Sequence, residues 1–375
     1  MERTDIVIIG AGIVGLAIAR SLSGKGLNIV HFDKHASFGR EASSRCSEVI
    51  HAGIYYPKNS LKGKLCLEGN DLIYELCRKY NVPYKNSGKL IVACEKSEAE
   101  KLPFWFDLAK GNNAKGVRII DKDEIFKIEP KVKAEAAIYC PSSGTVDSHL
   151  LMQLFEALAV GGGVNIVYNM EITSIKKTDS GYIVDVNDKS GSVNKLFTRI
   201  LINAAGLGSD KIASMAGIDI DEAGYRIRYY KGIYYRANKQ LDKYPETLIY
   251  PIPPQWGSVG IHTTPDLGGG MRLGPHFIWC DEIDYSIDDR FHDMFYHDAK
   301  RYLPFLEYDD ILPDSSGIMA TIMDPKKPGF KDFIIREESD KNLPGLINLI
   351  GIDSPGLTAS PAIGAMVADI VNTIS

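Results

Sequence analysis

The chain has 375 residues, enough to build two domains around separate cores. Hydrophobic residues make up 45% and charged residues 24%, which excludes a disordered or low-complexity protein. The net charge of −5, with no dense Lys/Arg cluster, argues against a nucleic-acid partner.

Asp5 to Ile9 is a β-branched run that predicts a buried strand, and Gly10 ends it. Ile13 to Lys25 predicts a helix stopped by Gly24 and Gly26, and Asn28 to Phe32 a second strand closed by Asp33. This is a β-α-β unit within about thirty residues. The apolar run Ile6 to Ala19 is fourteen residues long, too short to span a bilayer, so no transmembrane or targeting segment is expected from it. Leu61 to Tyr80 carries one apolar face at helical spacing. Lys89 to Ala93 predicts a strand, Ser97 to Lys110 a helix, and Asp147 the cap of a helix reaching about Val160. Strands are expected over Asn165 to Tyr168, Glu171 to Lys176, Tyr182 to Val186 and Phe197 to Ile202. The segment Tyr225 to Tyr235 alternates and is aromatic, in the manner of antiparallel sheet, with further short strands near Leu248, Val259 and Met271. Leu346 to Ile350 returns to the buried-strand style, and a helix is expected from Thr358 to the end. Six scattered cysteines form no CxxC, and no histidine pair has zinc spacing, so reduced thiols in a cytoplasmic protein without a structural metal are expected.

The pattern predicts an α/β protein with a Rossmann-like domain formed by 1–84, 141–222 and 337–375. An antiparallel-sheet substrate domain, 85–140 and 223–336, is inserted into it.

Gly10-Ala11-Gly12-Ile13-Val14-Gly15 is a GxGxxG motif with a strand before it and a helix after it. An acid, Asp33, follows eighteen residues beyond Gly15. Gly10 permits a tight turn, Gly12 lets a pyrophosphate approach the backbone, and Gly15 lets the helix close on the strand. The helix N-terminus offers N–H donors to phosphate, and Asp33 suits a ribose hydroxyl. These features predict a dinucleotide site, for NAD or FAD. The run "LINAAGLGSD", Leu201 to Asp210, breaks from strand into small residues that let a ligand lie flush. "GIDSPGLTASPAIG", Gly351 to Gly364, offers a second helix N-terminus at Gly356-Leu357-Thr358. A long two-ended cofactor such as FAD accounts for both termini.

Together the GxGxxG with its acid, the "INAAG" strand and the "GIDSPGLTASPAIG" tail resemble the D-amino-acid-oxidase-like superfamily of FAD enzymes. "SEVIHAGIYYPKNSLKGKLCLEGNDLIYE", "SGKLIVA" and "YPIPPQWGSVGIHTTPDLGGGMRLGP" narrow the resemblance to the L-2-hydroxyglutarate dehydrogenase/oxidase-like family, over nearly the whole chain. The resemblance implies FAD held by Gly10, Gly12, Ile13, Val14, Gly15, Asp33 and Lys34. It also implies that Ser43, Ser44 and Arg45 wrap the flavin, a backbone near Ile172 touches the adenine, and Ala205 and Gly206 line the cofactor. Gly356, Leu357 and Thr358 would sit by the pyrimidine end of the flavin ring. A helix N-terminus there suits the negative charge of reduced flavin.

A 2-hydroxy acid that gives a hydride to flavin N5 needs a carboxylate anchor, a base for its hydroxyl proton and a fixed orientation. Candidate anchors are Lys231 and Arg272; candidate bases are His51 and His262. In some relatives a histidine placed like His51 bonds covalently to flavin. Tyr55, beside Tyr56, is a further candidate to reach the substrate. Relatives tend to carry "GIRPK" where this chain reads Gly317-Ile318-Met319-Ala320-Thr321, so an anionic anchor is either lost or moved to Arg226, Arg228 or Arg272. Three readings result: oxidation of a small anionic L-2-hydroxy acid, oxidation of an amino or imino acid or of glycerol 3-phosphate, or flavin binding with little turnover. The electron acceptor is oxygen, a quinone or a carrier protein, which would look alike in the sequence, and peripheral docking at a membrane is compatible with a cytoplasmic protein.

Overall fold

The computed structural model of the chain describes residues 1–238, 244–253 and 260–374. The strand Glu2–Ile9 is buried on both faces. Ile6 and Ile8 meet the helices Ile13–Leu22 and Gly356–Ile374, whereas Val7 and Ile9 join a cluster with Tyr182, Val184 and Ile212. That double burial is the reason its sequence is a continuous apolar run. It pairs in parallel with Ile29–Phe32 on one side and Val193–Asn203 on the other. Asn165–Val167 extends the parallel sheet beyond Ile29–Phe32, and Leu343–Ile350 pairs in parallel with Leu201 to Asn203. The first half of the long strand Val193–Asn203 instead accepts the antiparallel hairpin Met170–Thr178 and Gly181–Asp188. Ile334–Glu338 completes this eight-stranded sheet as an antiparallel edge.

A second eight-stranded sheet runs Ile311–Thr321, Arg228–Ala237, Met271–Cys280, Thr263–Pro265, Leu248–Pro251, Lys89–Ala93, Ala136–Cys140, Arg118–Asp121. It is antiparallel except for one pair, Leu248–Pro251 with Lys89–Ala93. A small sheet of Val49–Ile50, Gly144–Val146 and Tyr84–Lys85 lies apart from both. The first sheet draws its strands from 2–32, 165–203 and 334–350, and the second from 89–140, 228–280 and 311–321. The strand Ile334–Glu338 straddles residue 336, where the sequence suggested a boundary.

The helix Leu61–Tyr80 starts and stops for identifiable reasons. Ser60 accepts a hydrogen bond from Gly63 N, the Asp332 carboxylate accepts from Leu61 N and Lys62 N, and Asn81 ends the helix in the left-handed region. Asp147 caps Ser148–Gly161, as its position predicts. The helix expected over Ser97 to Lys110 is two helices, Lys96–Ala99 and Leu102–Gly111. Pro103 lies in the first turn of the second, where a proline is tolerated, and restricts the residue before it. The strand expected near Val259 lies outside the described residues. The helix Gly356–Ile374 is long and apolar enough to cross a membrane by length and composition. Its apolar residues are spent on the helices Ile13–Leu22 and Leu61–Tyr80 instead.

Candidate active site

Both glycine turns open on one cavity of about 430 Å³. Gly12, Ile13 and Val14 contribute the N-terminus of Ile13–Leu22, and Gly356 and Leu357 contribute the N-terminus of Gly356–Ile374. Gly10 and Gly15 shape the first turn without lining the cavity. Gly10 has φ +99°, and a Cβ on Gly15 would fall 1.9 Å from the Gly10 carbonyl oxygen. Gly12 is the N-cap and supplies no side-chain cap. Ser43 closes over this turn, its Oγ accepting from Ile13 N at 3.0 Å. Asp33 accepts from Ala11 N at 2.7 Å and from His35 N at 2.8 Å, which sets its carboxylate behind the glycine loop.

The last helix would normally leave the Leu357 carbonyl unpaired, because Pro361 has no N–H to return to it. The Ser360 hydroxyl donates to that carbonyl at 2.9 Å. Thr358 is buried. Its Oγ1 accepts from His51 N at 3.0 Å and donates to Val49 O at 3.2 Å, so the second glycine turn is fastened to the segment that carries His51. Asn70 Nδ2 donates to His51 O at 2.9 Å and fixes the same peptide from the other side.

His51, Tyr55 and Tyr56 line the cavity together with His262, Tyr250 and Tyr234. Burial, with the Lys89 ammonium nearby, pushes both imidazoles well below the ordinary histidine range, and His51 adds to the effect on His262. Both are therefore neutral at pH 7 and able to accept a proton. His262 stacks on Tyr250 with ring centroids 3.5 Å apart and planes tilted by 10°. The Tyr55 hydroxyl is buried with no hydrogen-bond partner among the described residues, and its ring meets Trp105 edge-on at 5.7 Å. Cys46 is part of the wall, but burial raises its thiol to about 11 and leaves it a poor nucleophile.

Several expected residues stand elsewhere. Lys231 does not line the cavity; Tyr230, Gly232 and Tyr234 on the same strand do. Alternation turns Lys231 to the opposite face, where its Nζ donates to Asp284 at 2.7 Å. Arg272 is also drawn off. It donates to Cys46 O at 3.1 Å, lies 3.5 Å from Asp314 and stands 5.7 Å from the Tyr234 ring, so it braces the wall without lining the cavity. Arg226 pairs with Asp221 and Arg228 is exposed, so neither lines the cavity in place of an arginine at 319. Met319 does line it. Lys34 pairs with Glu41 at 2.8 Å, Ser44 is exposed, and Ile172 is buried in its strand; none lines the cavity. Arg45 lines it and lies over the Tyr285 ring at 4.0 Å. Gly206 and Ala204 line it, but Ala205 does not.

Sequence reasoning passed over Lys62, Trp105, Tyr230, Phe277 and Phe330, all on the cavity wall. The period-two pattern of Tyr230 to Tyr234 could have revealed Tyr230. Lys62 has no comparable signal. Its Nζ lies 2.5 Å from Asp353, in an ion pair whose side chains are about one-tenth exposed.

The donor set fits FAD: two helix N-termini face one cavity, a glycine turn has no side chain in the way, and an acid stands behind that turn. Gly12–Val14, Ser43 and Asp33 would hold its phosphates and ribose, and Gly356–Leu357 its flavin ring. The parallel sheet, the glycine turns and the capping second sheet define a dinucleotide-binding flavoprotein oxidoreductase. Residues 5–370 match the family model described as DAO, FAD dependent oxidoreductase, and the chain belongs to that family. It is 34% identical to a mitochondrial L-2-hydroxyglutarate dehydrogenase of Arabidopsis thaliana, over 98% of this chain and 83% of that protein. It is 30% identical to a glycerol 3-phosphate dehydrogenase of Caloramator mitchellensis, over 99% and 74% respectively. Among solved structures it resembles dithionite-reduced L-alpha-glycerophosphate oxidase of Mycoplasma pneumoniae with FAD bound. The TM-score there is 0.86 and the identity 28%, covering 98% of this chain and 95% of that one. The protein is an FAD-dependent oxidoreductase.

Proposed function

We propose that the protein oxidises a small L-2-hydroxy acid of the 2-hydroxyglutarate type to the 2-oxo acid. The observation that carries the reading is the meeting of two imidazoles, His51 and His262, on the cavity that both glycine turns face; burial there disfavours their charged form. The Arabidopsis relative named for L-2-hydroxyglutarate supports the substrate class.

Bound FAD supplies the two-electron acceptor that takes the C2 hydrogen with its bonding pair. A ring nitrogen of His51 or His262 takes the hydroxyl proton as the C2–O bond becomes a carbonyl. The Tyr55 hydroxyl, buried without a partner among the described residues, supports a role for this cavity-lining residue as donor to a substrate oxygen. Arg45 and Lys62 are cations on the wall available to carboxylate, the second already shared with Asp353. Tyr230, Phe277 and Met319 present apolar surface that keeps water from the reacting carbon.

A second reading, oxidation of glycerol 3-phosphate, is favoured by the two relatives named for glycerol phosphate, and Met319 on the wall keeps it open. Anaerobic titration of the FAD-loaded protein separates the two. L-2-Hydroxyglutarate should bleach the yellow flavin, and the D-enantiomer and glycerol 3-phosphate should not. Bleaching by glycerol 3-phosphate alone moves the assignment to the second reading, and a flavin that no member of the panel bleaches sinks both. Re-oxidation of the bleached protein by air, by a quinone or by a carrier protein then identifies the acceptor.

A further inference from the structure

Lys89 is 1% exposed, and no carboxylate among the described residues pairs with it. It opens the strand Lys89–Ala93, in hydrogen-bonded register with Leu248 on one side and Cys140 on the other. Leu90 and Val92 face the cluster that holds Ile249 and Leu273, and Ile91 and Ala93 face the cluster of Ala52, Ile54 and Tyr250. Strand alternation puts Lys89 on the second of these faces, toward the segment that bears His51. Its Nζ stands 3.9 Å from the centroid of the Tyr250 ring. His262 already covers one face of that ring at 3.5 Å, so the ammonium occupies the other. The three groups form a sandwich with a cation on the dry side and an imidazole on the cavity side.

We propose that Lys89 is a positioning residue of the oxidation reaction, acting through the face of Tyr250 to hold His262, and with it His51, in the form that receives the substrate's proton. A buried ammonium needs compensation, and the electron-rich face of Tyr250 provides it. The same attraction fixes the plane on which His262 stacks. The fixed positive charge also opposes a second one on either imidazole. The titratable groups around the sandwich are Lys89, Tyr250, Tyr234, Tyr55, Tyr56 and Tyr302, with Cys66 and Cys140 beside Lys89, together with each imidazole itself. Among the described residues no carboxylate forms an ion pair with Lys89, His51 or His262. The inference rests on the reading that one of the two imidazoles is the base.

The test uses FAD-loaded Lys89→Met and Lys89→Arg proteins. NMR follows the Cε1 protons of His51 and His262, assigned by their loss in His51→Gln and His262→Gln, and the pH dependence of anaerobic flavin reduction is measured alongside. In Lys89→Met the titration of His262, and the acid limb of the rate, should move up by about half a pH unit or more. That is about a threefold change in the neutral fraction. FAD content should stay at the parent level, and Lys89→Arg should restore the parent profile. An FAD-loaded Lys89→Met protein whose His51 and His262 titrate as in the parent overturns the inference. If Lys89→Met does not fold, the parent alone decides. Its His262 signal should show a second, smaller inflection where Lys89 gives up its proton, at a pH that burial moves below the ordinary lysine value of 10.5, and a trace flat from neutrality up to that value overturns the inference equally. The NMR readout needs no substrate, so failure of every hydroxy acid to bleach the flavin would sink the substrate reading and leave the Lys89 result standing.

Discussion

His51 and His262 gain nothing from carboxylates; their environment is a cation, phenol rings and apolar wall. Their pKa values are lowered, so protonation is resisted until the pH falls well below the ordinary imidazole value. The rate of flavin reduction should therefore be level from about pH 6.5 upward through neutrality, with its acid limb lying lower than an exposed histidine would give. Replacing the imidazole that serves as base with glutamine should slow flavin reduction by about 10²- to 10⁴-fold, with FAD still bound. Stopped-flow reduction of His51→Gln and His262→Gln measures this, and losses below about tenfold in both would remove the histidines from the proton transfer. At this scale the sequence was legible where one backbone geometry admits one residue type, as at Gly10 and Gly15. It was not legible for Lys231 and Arg272. A cation in a strand does not say what will engage it: Lys231 found a carboxylate on the opposite face, and Arg272, beside Tyr234, is taken up by Asp314 and the Cys46 carbonyl. Lys89 stood unremarked inside "SGKLIVA" because nothing local marks a lysine whose partner is a ring on the neighbouring strand.

The helices that carry the glycine turns are held by close backbone approach. A Cβ on Gly69 of Leu61–Tyr80 would lie 2.0 Å from the Thr358 carbonyl oxygen, and one on Gly364 would lie 2.5 Å from Ala17 O. The first contact sets the height of the second glycine turn over the cavity, because Thr358 also holds His51 N. Gly69→Ala should push the two helices apart and cost about 1–3 kcal/mol, as overpacking of a close contact does. The displacement reaches Gly356 and Leu357, so FAD should dissociate more readily as well. Fluorescence of released flavin during thermal unfolding reads both effects. A Gly69→Ala protein with the parent's midpoint and FAD retention would show that the helices yield there at no cost. Helices of this kind were legible from caps and periodicity, and Leu61–Tyr80 was placed end to end. The strands Val49–Ile50 and Ile311–Thr321 were not. The first is two residues long, and the second mixes polar and apolar residues because it crosses from the protein surface to the cavity wall.

Across the whole molecule the two sheets meet at the cavity, and the contact beside it is tight. A Cβ on Gly317, in the second sheet, would lie 2.0 Å from Arg45 O, in the turn that closes on the first glycine loop. Arg272, on the second sheet, donates to Cys46 O in the same turn. FAD bridging these walls should stabilise the fold as any native-state ligand does, by about 2.7 kcal/mol at a hundredfold excess over its dissociation constant. The pH dependence of that stability has a definite sign. His51, His262 and Lys89 all have folded pKa values below their unfolded ones. Between each pair of values the unfolded chain binds more protons, so stability rises with pH. For the histidines the window lies below 6.5, and for Lys89 it runs from about 8 up to the unfolded value of 10.5. Thermal unfolding of the FAD-loaded protein should give a midpoint that falls as the pH drops from 7 to 5. The fall should be shallower in the His51→Gln/His262→Gln double variant. Equal slopes in the parent and the double variant would assign the acid sensitivity to carboxylates instead, of which Glu41 and Glu98 have lowered values, and would remove the buried imidazoles from the stability balance.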